Sequence, residues 1–272
     1  MKVVISGGVH GNELIGIYLV RELKKRGIQL PGLVIDFLLG NPKAIMECRR
    51  YIDKDLNRSF GPQALGEDSH IYEYERAKVI KRRLKGCDFL IDLHTTTANM
   101  GLTLVLGSED ELSAAVAKSI AATYEGVRIL RWLQNDEGAF INSLAPHSIT
   151  IEVGPVCQGV LDPRLYFQTQ ELLLSILELL SSRKIAQPKE FCYDIVATMD
   201  FPRDEKGDLA GMIHPDLVGR DYTLIKRGDP VFVTFEGRTI FYDGEPLYAV
   251  FINEAAYYEK KIAFCLCKKS TF

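Results

Sequence analysis

Several protein classes are excluded by what this sequence lacks. No apolar run reaches the roughly 18 residues needed to cross a membrane, and the apolar stretch at residues 1–6 is too short for a signal peptide. Lys plus Arg total 33 against 36 Asp plus Glu, so the net charge of −3 gives no overall basic field that would attract nucleic acid or anionic lipid. We therefore expect a cytoplasmic protein that interacts with neither nucleic acid nor membranes.

Histidine is scarce, and the cysteines follow no recognisable pattern. The six cysteines match neither a zinc knuckle nor a small disulfide framework, so we expect reduced thiols. Any histidine-based metal site has only five candidates. Three of them, His70, His147 and His214, have no ligand-like neighbours in the sequence, which leaves His10 and His94.

The remaining composition, with 47% hydrophobic and 25% charged residues, is that of a folded globular protein. Up to about residue 180, short apolar runs alternate with helical patterns, which predicts βαβ units and a mostly parallel sheet flanked by helices. The predicted strands are residues 3–6, 33–39, 88–94, 102–106 and 148–153, and the predicted helices are residues 14–25, 71–84, 109–124 and 163–180. Asn41-Pro42 is predicted to break the chain, and residues 49–66 are predicted to form a long surface loop.

The pattern changes after Ser181. From Phe191 onward, short runs rich in β-forming residues alternate with turn dipeptides, which predicts strands at residues 231–235, 239–242 and 247–252. Charge and Pro188 interrupt the apolar periodicity near residues 183–189. The sequence therefore predicts two domains, an α/β domain at residues 1–187 and a smaller β-rich domain at residues 188–272.

Metal-binding side chains follow two of the predicted strands. His10 and Glu13 lie on a turn directly after the first strand, where two side chains three residues apart can converge on one ion. His94 ends a second buried strand, and the carboxyl ends of parallel strands share the edge at which ligands bind. Two His and one Glu with an open fourth position are typical of a catalytic zinc site. The alternative is a helix-capping Glu beside a hydrogen-bonded loop histidine.

Two further carboxylates belong to the same predicted edge. Asp92, two residues before His94, is either a hydrogen-bond partner of a ligand histidine or a polar residue near a strand end. Glu152 lies inside an apolar strand, where a charge is costly to bury unless it is paired or used. Beside a metal-bound water it would act as a general base, and the alternative is an ordinary salt bridge.

Two polar segments offer substrate contacts. In residues 49–58, the Arg and Asn side chains suit a bidentate grip on a carboxylate, and an Arg near a metal can stabilise an oxyanion. The alternative for this segment is a solvated charged loop. Near the end of the chain, residues 253–261 offer phenols and Lys side chains that face either the site or the packed interior of the second domain.

Taken together and in this order, these segments resemble the aspartoacylase family of zinc amidohydrolases, which includes the succinylglutamate desuccinylases and is related through its catalytic domain to zinc carboxypeptidases. The matching stretches are Gly7-Gly8-Val9-His10-Gly11-Asn12-Glu13, Arg50-Tyr51-Ile52-Asp53, Asp55-Leu56-Asn57-Arg58, Asp92-Leu93-His94-Thr95-Thr96, Asn99-Met100-Gly101 and Ile151-Glu152-Val153-Gly154-Pro155. The likeness continues through residues 193–214, 228–230 and 253–261, so it covers nearly the whole chain.

The resemblance implies a zinc-carboxypeptidase-like catalytic domain at residues 1–187 and a β-rich domain at residues 188–272 that covers the active-site mouth. It also implies one Zn²⁺ per chain and a homodimer. The implied site residues are the zinc ligands His10, Glu13 and His94, the base Glu152 that activates zinc-bound water, the carbonyl-polarising Arg50, the carboxylate-binding Asn57 and Arg58, and the pocket residues Tyr257 and Lys261.

The implied reaction is hydrolysis of the amide bond of a small N-acyl amino acid, foremost N-acetyl-L-aspartate to acetate and L-aspartate. The sequence departs from the family where an Arg grips the aspartate side chain, since Asn142 stands there, and Gly138 stands where a pocket Tyr is expected. Either Arg128 or Arg131 replaces the missing charge, or the substrate is an N-acyl amino acid with an apolar or succinylated group. Two different functions would use the same residues, namely a zinc carboxypeptidase and a non-catalytic zinc-dependent module that binds carboxylates.

Overall fold

The computed structural model describes residues 1–66, 70–133, 140–186, 188 and 190–272. Its strands are β1 (Lys2–Gly7), β2 (Val34–Leu39), β3 (Phe89–Thr95), β4 (Gly101–Leu106), β5 (Arg128–Arg131), β6 (His147–Gly154), β7 (Phe191–Met199), β8 (Gly211–Ile213), β9 (Thr223–Ile225), β10 (Pro230–Thr234), β11 (Thr239–Phe241), β12 (Leu247–Val250) and β13 (Phe264–Thr271). Its helices are α1 (Leu14–Arg26), α2 (Pro42–Glu47), α3 (Pro62–Gly66), α4 (Tyr72–Arg83), α5 (Glu111–Thr123) and α6 (Pro163–Ser182).

The described strands form one large sheet and one small sheet. The ten-stranded sheet has the order β2-β1-β3-β6-β4-β5-β7-β13-β12-β9, and the three-stranded sheet has the order β11-β10-β8. Strands β2, β1, β3 and β6 are mutually parallel, whereas β4 runs antiparallel to β6. The predicted fold class, a mixed and mostly parallel sheet flanked by helices with a β-rich C-terminal region, is confirmed.

The register of the central strands positions the predicted site residues. β3 lies between β1 and β6, with Gly7 beside Leu93 and His94 beside Glu152. Because these strands are parallel, the turn after β1 and the last residues of β3 and β6 meet at one edge of the sheet. The sheet therefore brings together residues that are far apart in sequence.

The two faces of the sheet differ because successive side chains on a strand point to opposite sides. On β6, Ile149, Ile151 and Val153 pack into the core that includes α1, α5 and α6. The alternate residues Thr150 and Glu152 line a cavity on the other face. That face is covered in part by α4, whose apolar side chains pack on β1 and β3.

Two short helices were not expected from the sequence. Asn41-Pro42 does not simply break the chain but starts α2, because the Asn41 side chain accepts the Ala44 N–H at 3.3 Å and proline suits the first helical position. Residues 49–66 are not wholly a surface loop, since Leu56 is fully buried in the cluster beneath α4 and residues 62–66 form α3. Such short helices have too few residues for a visible apolar period.

The C-terminal region extends the large sheet as well as forming the small one. β7 pairs with β5 and with β13, so the sheet continues across the predicted boundary. The strands predicted at residues 231–235, 239–242 and 247–252 correspond to β10, β11 and β12, whereas β5, β7, β8, β9 and β13 were not predicted. The division at residue 187 stays a prediction, and residues 187 and 189 lie outside the described residues.

Two further expectations concern the cysteines and membrane spans. All six cysteines are free thiols, four of them buried and two, Cys48 and Cys157, exposed. Within the described ranges, no helix has both the length and the apolar character that a membrane crossing requires.

Candidate active site

His10, Glu13 and His94 converge at the carboxyl edge of β1 and β3. Their potential ligand atoms all lie within 4.8 Å of one another, and all three residues are buried. Oε1 of Glu13 lies 2.6 Å from Nδ1 of His10, and Oε2 lies 3.0 Å from Nδ1 of His94. Two imidazole nitrogens and one carboxylate aimed at a common point form a donor set that suits zinc.

The opposite nitrogen of each imidazole contacts a second carboxylate. Nε2 of His94 lies 2.7 Å from Oδ2 of Asp92, and Nε2 of His10 lies 3.0 Å from Oδ1 of Asp55. Carboxylates in this position orient metal-ligating histidines and make them better donors. Of the two open interpretations of Asp92, the structure therefore favours the histidine partner, and it adds Asp55, which sequence reasoning missed.

The charges around the two histidines are mutually stabilising. Burial alone would lower the pKa of His94, but the charges of Asp92 and Glu13 raise it well above its usual value. Burial alone would raise the pKa of Glu13, but the charges of His10 and His94 hold it well below its usual range. This environment stabilises positive charge between the three residues, whether a proton or a metal ion carries it.

Glu152 lies beside His94 and lines the cavity. Burial raises the pKa of this carboxyl to about 8, with the charge of Glu13 adding to the increase and that of His94 opposing it. In the described part of the chain no ion pair engages Glu152, so the alternative of an ordinary salt bridge is not supported. A perturbed carboxyl in a cavity is typical of groups that transfer protons.

His10, Glu13 and His94 are called the histidine cluster below. Arg50, in the loop that precedes α3, contacts this cluster. Its guanidinium contacts Oε1 of Glu13 at 3.3 Å and Oδ2 of Asp55 at 3.2 Å. Asn57 is buried and accepts the Ile141 N–H on its side-chain oxygen at 3.0 Å. Together with Arg58, both residues line the cavity, so this segment is not a solvated charged loop.

A cavity of about 390 Å³ joins these residues. Its lining includes the charged groups just described and the aromatic side chains of Trp132, Phe140, Phe251 and Tyr257. The part of the cavity that extends along β6 away from Glu152 is called the far end here. It is lined by small or uncharged residues, among them Gly107, Ser108, Asn142, Ser143, Ala145, Pro146, Ser148 and Thr150.

The far end carries no compensating cation from the residues suggested by the sequence. Asn142 donates from its amide to Oγ1 of Thr150 at 3.0 Å. Of the two alternatives that the sequence leaves open, replacement of the missing charge by Arg128 or Arg131 is not supported. Neither lines the cavity, since Arg128 stacks on Tyr222 and Arg131 pairs with Asp194. Gly138 lies outside the described residues.

The C-terminal residues divide into one that lines the cavity and one that does not. Tyr257 is buried in the cavity wall, with its ring 6.2 Å from that of Trp132. Lys261 is exposed at the end of a 3-10 turn and is not among the lining residues. Its neighbour Lys260 instead approaches Oδ2 of Asp55 at 3.6 Å. Burial and the charge of Arg58 lower the pKa of Lys260 to about 8.

Sequence reasoning also missed Glu254. This buried residue accepts the Thr97 N–H at 2.7 Å, the Thr96 hydroxyl and the Ala256 N–H at 3.0 Å. It therefore attaches the C-terminal segment to the loop after His94. The only available signal was an acidic residue within a run of small and aromatic residues.

Comparisons with known proteins agree with this arrangement. The catalytic-domain model for succinylglutamate desuccinylase/aspartoacylase matches residues 1–180, and the AstE/AspA barrel-sandwich hybrid domain model matches residues 190–269. A probable aspartoacylase from Acaryochloris marina (strain MBIC 11017) is 44% identical, over 98% of this chain and 96% of its own. An N-acyl-aromatic-L-amino acid amidohydrolase (carboxylate-forming) A from Danio rerio is 39% identical, over 99% of this chain and 89% of its own.

A solved structure extends the likeness to three dimensions. The crystal structure of murine aminoacylase 3 superposes with a TM-score of 0.95 at 34% identity, and the match covers 100% of this chain and 96% of the murine chain. The family models thus match both parts of the sequence, and the murine structure matches the whole fold. This chain belongs to the succinylglutamate desuccinylase/aspartoacylase family.

Proposed function

We propose that this protein is a zinc-dependent amidohydrolase that deacylates N-acyl amino acids. The observation that carries the proposal is the convergence of His10, Glu13 and His94 beside Glu152, in a cavity that Arg50 and Arg58 also line. Relatives named probable aspartoacylase and N-acyl-aromatic-L-amino acid amidohydrolase support the reaction class.

The residues divide the work of amide hydrolysis. His10, Glu13 and His94 would hold zinc, which when bound polarises water and the amide carbonyl. Glu152 takes the proton of the attacking water and transfers it to the leaving nitrogen. The guanidinium of Arg50 stabilises the negative charge that develops on the carbonyl oxygen.

Asn57 and Arg58 would bind the α-carboxylate of the substrate. A guanidinium and an amide can together bind the α-carboxylate of an N-acyl amino acid. Arg58 lies 4.2 Å above the Phe140 ring, and this stacking limits the freedom of the guanidinium. Tyr257 adds an aromatic wall beside the same part of the cavity.

The far end of the cavity favours a neutral substrate side chain, including an aromatic one. The described residues that line it are uncharged, and Asn142 and Thr150 hydrogen-bond to each other. Burying the second carboxylate of N-acetyl-L-aspartate there without a cation would be costly. Among the described residues, the Arg side chains that line the cavity are Arg50 and Arg58, and residues 134–139 contain neither Lys nor Arg.

N-acetyl-L-aspartate is the second candidate substrate, and the names of several relatives support it. Turnover of N-acetyl-L-aspartate, N-acetyl-L-phenylalanine, a succinylated amino acid and a dipeptide by the zinc-loaded protein separates the candidates. We expect N-acetyl-L-phenylalanine to give the highest kcat/KM, by about tenfold or more over N-acetyl-L-aspartate. The opposite order would contradict the neutral far end but not the reaction class.

The reaction class has its own test. Removing the metal with a chelator should abolish deacylation, and adding Zn²⁺ should restore it. Activity that persists through metal removal would overturn the proposal. Binding of N-acyl amino acids without turnover would instead favour a carboxylate-binding module, and preferential cleavage of peptides would favour a carboxypeptidase.

A further inference from the structure

Glu73, in the first turn of α4, is a fully buried carboxylate outside the cavity. Its Oε1 accepts the Asn41 amide at 3.0 Å and the Ile52 N–H at 2.8 Å. Its Oε2 accepts the Asp53 N–H at 3.0 Å and the Lys54 N–H at 3.1 Å. Three consecutive backbone N–H groups of the loop therefore converge on one side chain.

The loop in turn supplies a carboxylate that accepts a hydrogen bond from the N-terminus of α4. Oδ2 of Asp53 accepts the Tyr72 N–H at 2.8 Å, at the first residue of α4. Helix N-termini carry N–H groups without partners inside the helix, and a carboxylate there is favourable. Lys54 adds a third connection by donating to the Tyr74 hydroxyl at 2.6 Å. Loop and helix thus cap each other.

Residues 52–54, whose backbone N–H groups donate to Glu73, lie between two residues that contact the histidine cluster. Residues 52–54 separate Arg50, which contacts Glu13, from Asp55, which contacts His10. Asn57 and Arg58 follow within the same segment and line the cavity. The position of residues 52–54 therefore sets the position of the side chains on both sides.

We propose that Glu73 is a positioning residue for the substrate-binding loop, residues 50–58, although it does not line the cavity itself. This inference rests on the proposed function, since that function gives the loop its substrate. Glu73 holds the loop through three backbone N–H groups, so that Arg50, Asn57 and Arg58 are in place before a substrate arrives. Preorganisation of this kind lowers the entropic cost of binding.

Glu73→Gln tests the inference with little change in size. In either orientation, the new NH₂ group faces two of the four N–H groups that the carboxylate now accepts. The matched control is Glu75→Gln, on the exposed side of the same helix turn.

Hydrogen exchange of backbone amides, measured by mass spectrometry of the zinc-loaded protein, is a readout that does not require activity. We expect exchange in residues 50–58 to become at least tenfold faster in E73Q. Exchange in β3 should stay unchanged, and E75Q should match the wild type. Unchanged exchange in residues 50–58, or an equal increase in β3, would overturn the inference.

A second variant covers the case in which E73Q does not fold. Asp53 is exposed, so Asp53→Ala leaves the core intact while it removes the bond from the loop to the Tyr72 N–H. We expect a severalfold increase in exchange in residues 50–58 and in the first turn of α4. Wild-type exchange in D53A would count against mutual capping of loop and helix.

Kinetics separate positioning from general stabilisation. We expect E73Q to keep its zinc and to raise KM for an N-acyl amino acid by at least tenfold. In a protein that already carries Arg58→Ala, adding Glu73→Gln should raise KM by a much smaller factor. The substrate contact that Glu73 positions is already lost in that protein. An equal fold-effect on both backgrounds would overturn the inference. If exchange responds as expected but the wild type deacylates nothing, the proposed function fails and the positioning role stands.

Discussion

Glu152 is the residue on which the proposed chemistry depends most directly. It lines the cavity and lies beside His94 in the sheet register. Glu152→Gln should retain zinc and lower kcat by about 100-fold or more, since an amide cannot accept the proton of the attacking water. Metal analysis and steady-state kinetics check both parts. Near-normal turnover in E152Q would remove Glu152 from this role.

Asn142 is a neutral residue that lines the far end of the cavity. Asn142→Arg would place a guanidinium near Thr150, where the amide now donates a hydrogen bond. We expect kcat/KM for N-acetyl-L-aspartate relative to N-acetyl-L-phenylalanine to rise by about tenfold or more, because a guanidinium can pair with the second carboxylate. Asn142→Gln, which stays neutral, is the matched control. An unchanged ratio in N142R would show that this position does not select the substrate charge.

Asp221 makes the stability of the fold depend on pH. It accepts the Ile252 N–H at 3.0 Å and the Asn99 N–H at 2.9 Å, and burial raises its pKa from 3.8 to about 6. Because the folded chain holds this proton more tightly than the unfolded chain, the contribution of Asp221 to stability is present below about pH 4. It is lost as the pH rises through about 6.

The corresponding variant is Asp221→Asn. The free energy of unfolding of D221N, minus that of the wild type, should increase between pH 4 and pH 7 by roughly 2–3 kcal/mol. Denaturant titrations at a series of pH values measure this difference, and Asp216→Asn at an exposed position is the control. A difference that does not change with pH would contradict the assignment.

The packing of α1 on β3 is close enough to be sensitive to substitution. A Cβ atom on Gly16 would lie 2.8 Å from the carbonyl oxygen of Leu93 and 2.9 Å from its Cβ. Gly16→Ala should therefore destabilise the protein by about 1–3 kcal/mol, although alanine is the better helix former by about 1 kcal/mol. Thermal unfolding measures the loss. Lys24→Ala, on the exposed side of α1, should change stability by less than about 0.5 kcal/mol.

The elements that could be predicted are those with a repeating apolar pattern. Helices α1, α4, α5 and α6 and the strands β1, β3 and β6 all show one, and they match the structure closely. β5 has only four residues with Arg at both ends, so no alternation is visible. β13 ends in a polar run that its pairing with β7 places in the sheet, and such pairing is not a local property of the sequence.

The same distinction applies to the site. His10, Glu13 and His94 could be brought together from the sequence because strand ends in a parallel sheet share an edge. Asp55 is linked to His10, and Glu254 to Thr96, only through contacts that span 45 and 158 residues of chain. The catalytic and ligand roles, the cytoplasmic location and the homodimer stay predictions.

The large sheet crosses the predicted domain boundary. Leu130 and Arg131 of β5 pair with Tyr193 and Asp194 of β7. A fragment of residues 1–187 would leave β5 as an exposed edge and would lose the wall that Tyr257 provides. We expect this fragment to be insoluble or, if soluble, inactive, as measured by size-exclusion chromatography and a deacylation assay. A monodisperse, active fragment would show that residues 1–187 fold and function alone.

The spacing of residues along β6 also determines how far a substrate side chain must extend to contact each of them. Glu152, Thr150 and Ser148 lie at every second position and line the same cavity. Each such step advances about 7 Å along a strand. A substrate side chain must therefore extend roughly one step further to contact Ser148 than to contact Thr150. Because only Thr150 is hydrogen-bonded to Asn142, the length of an accepted substrate and its charge can be tuned at separate positions of one strand.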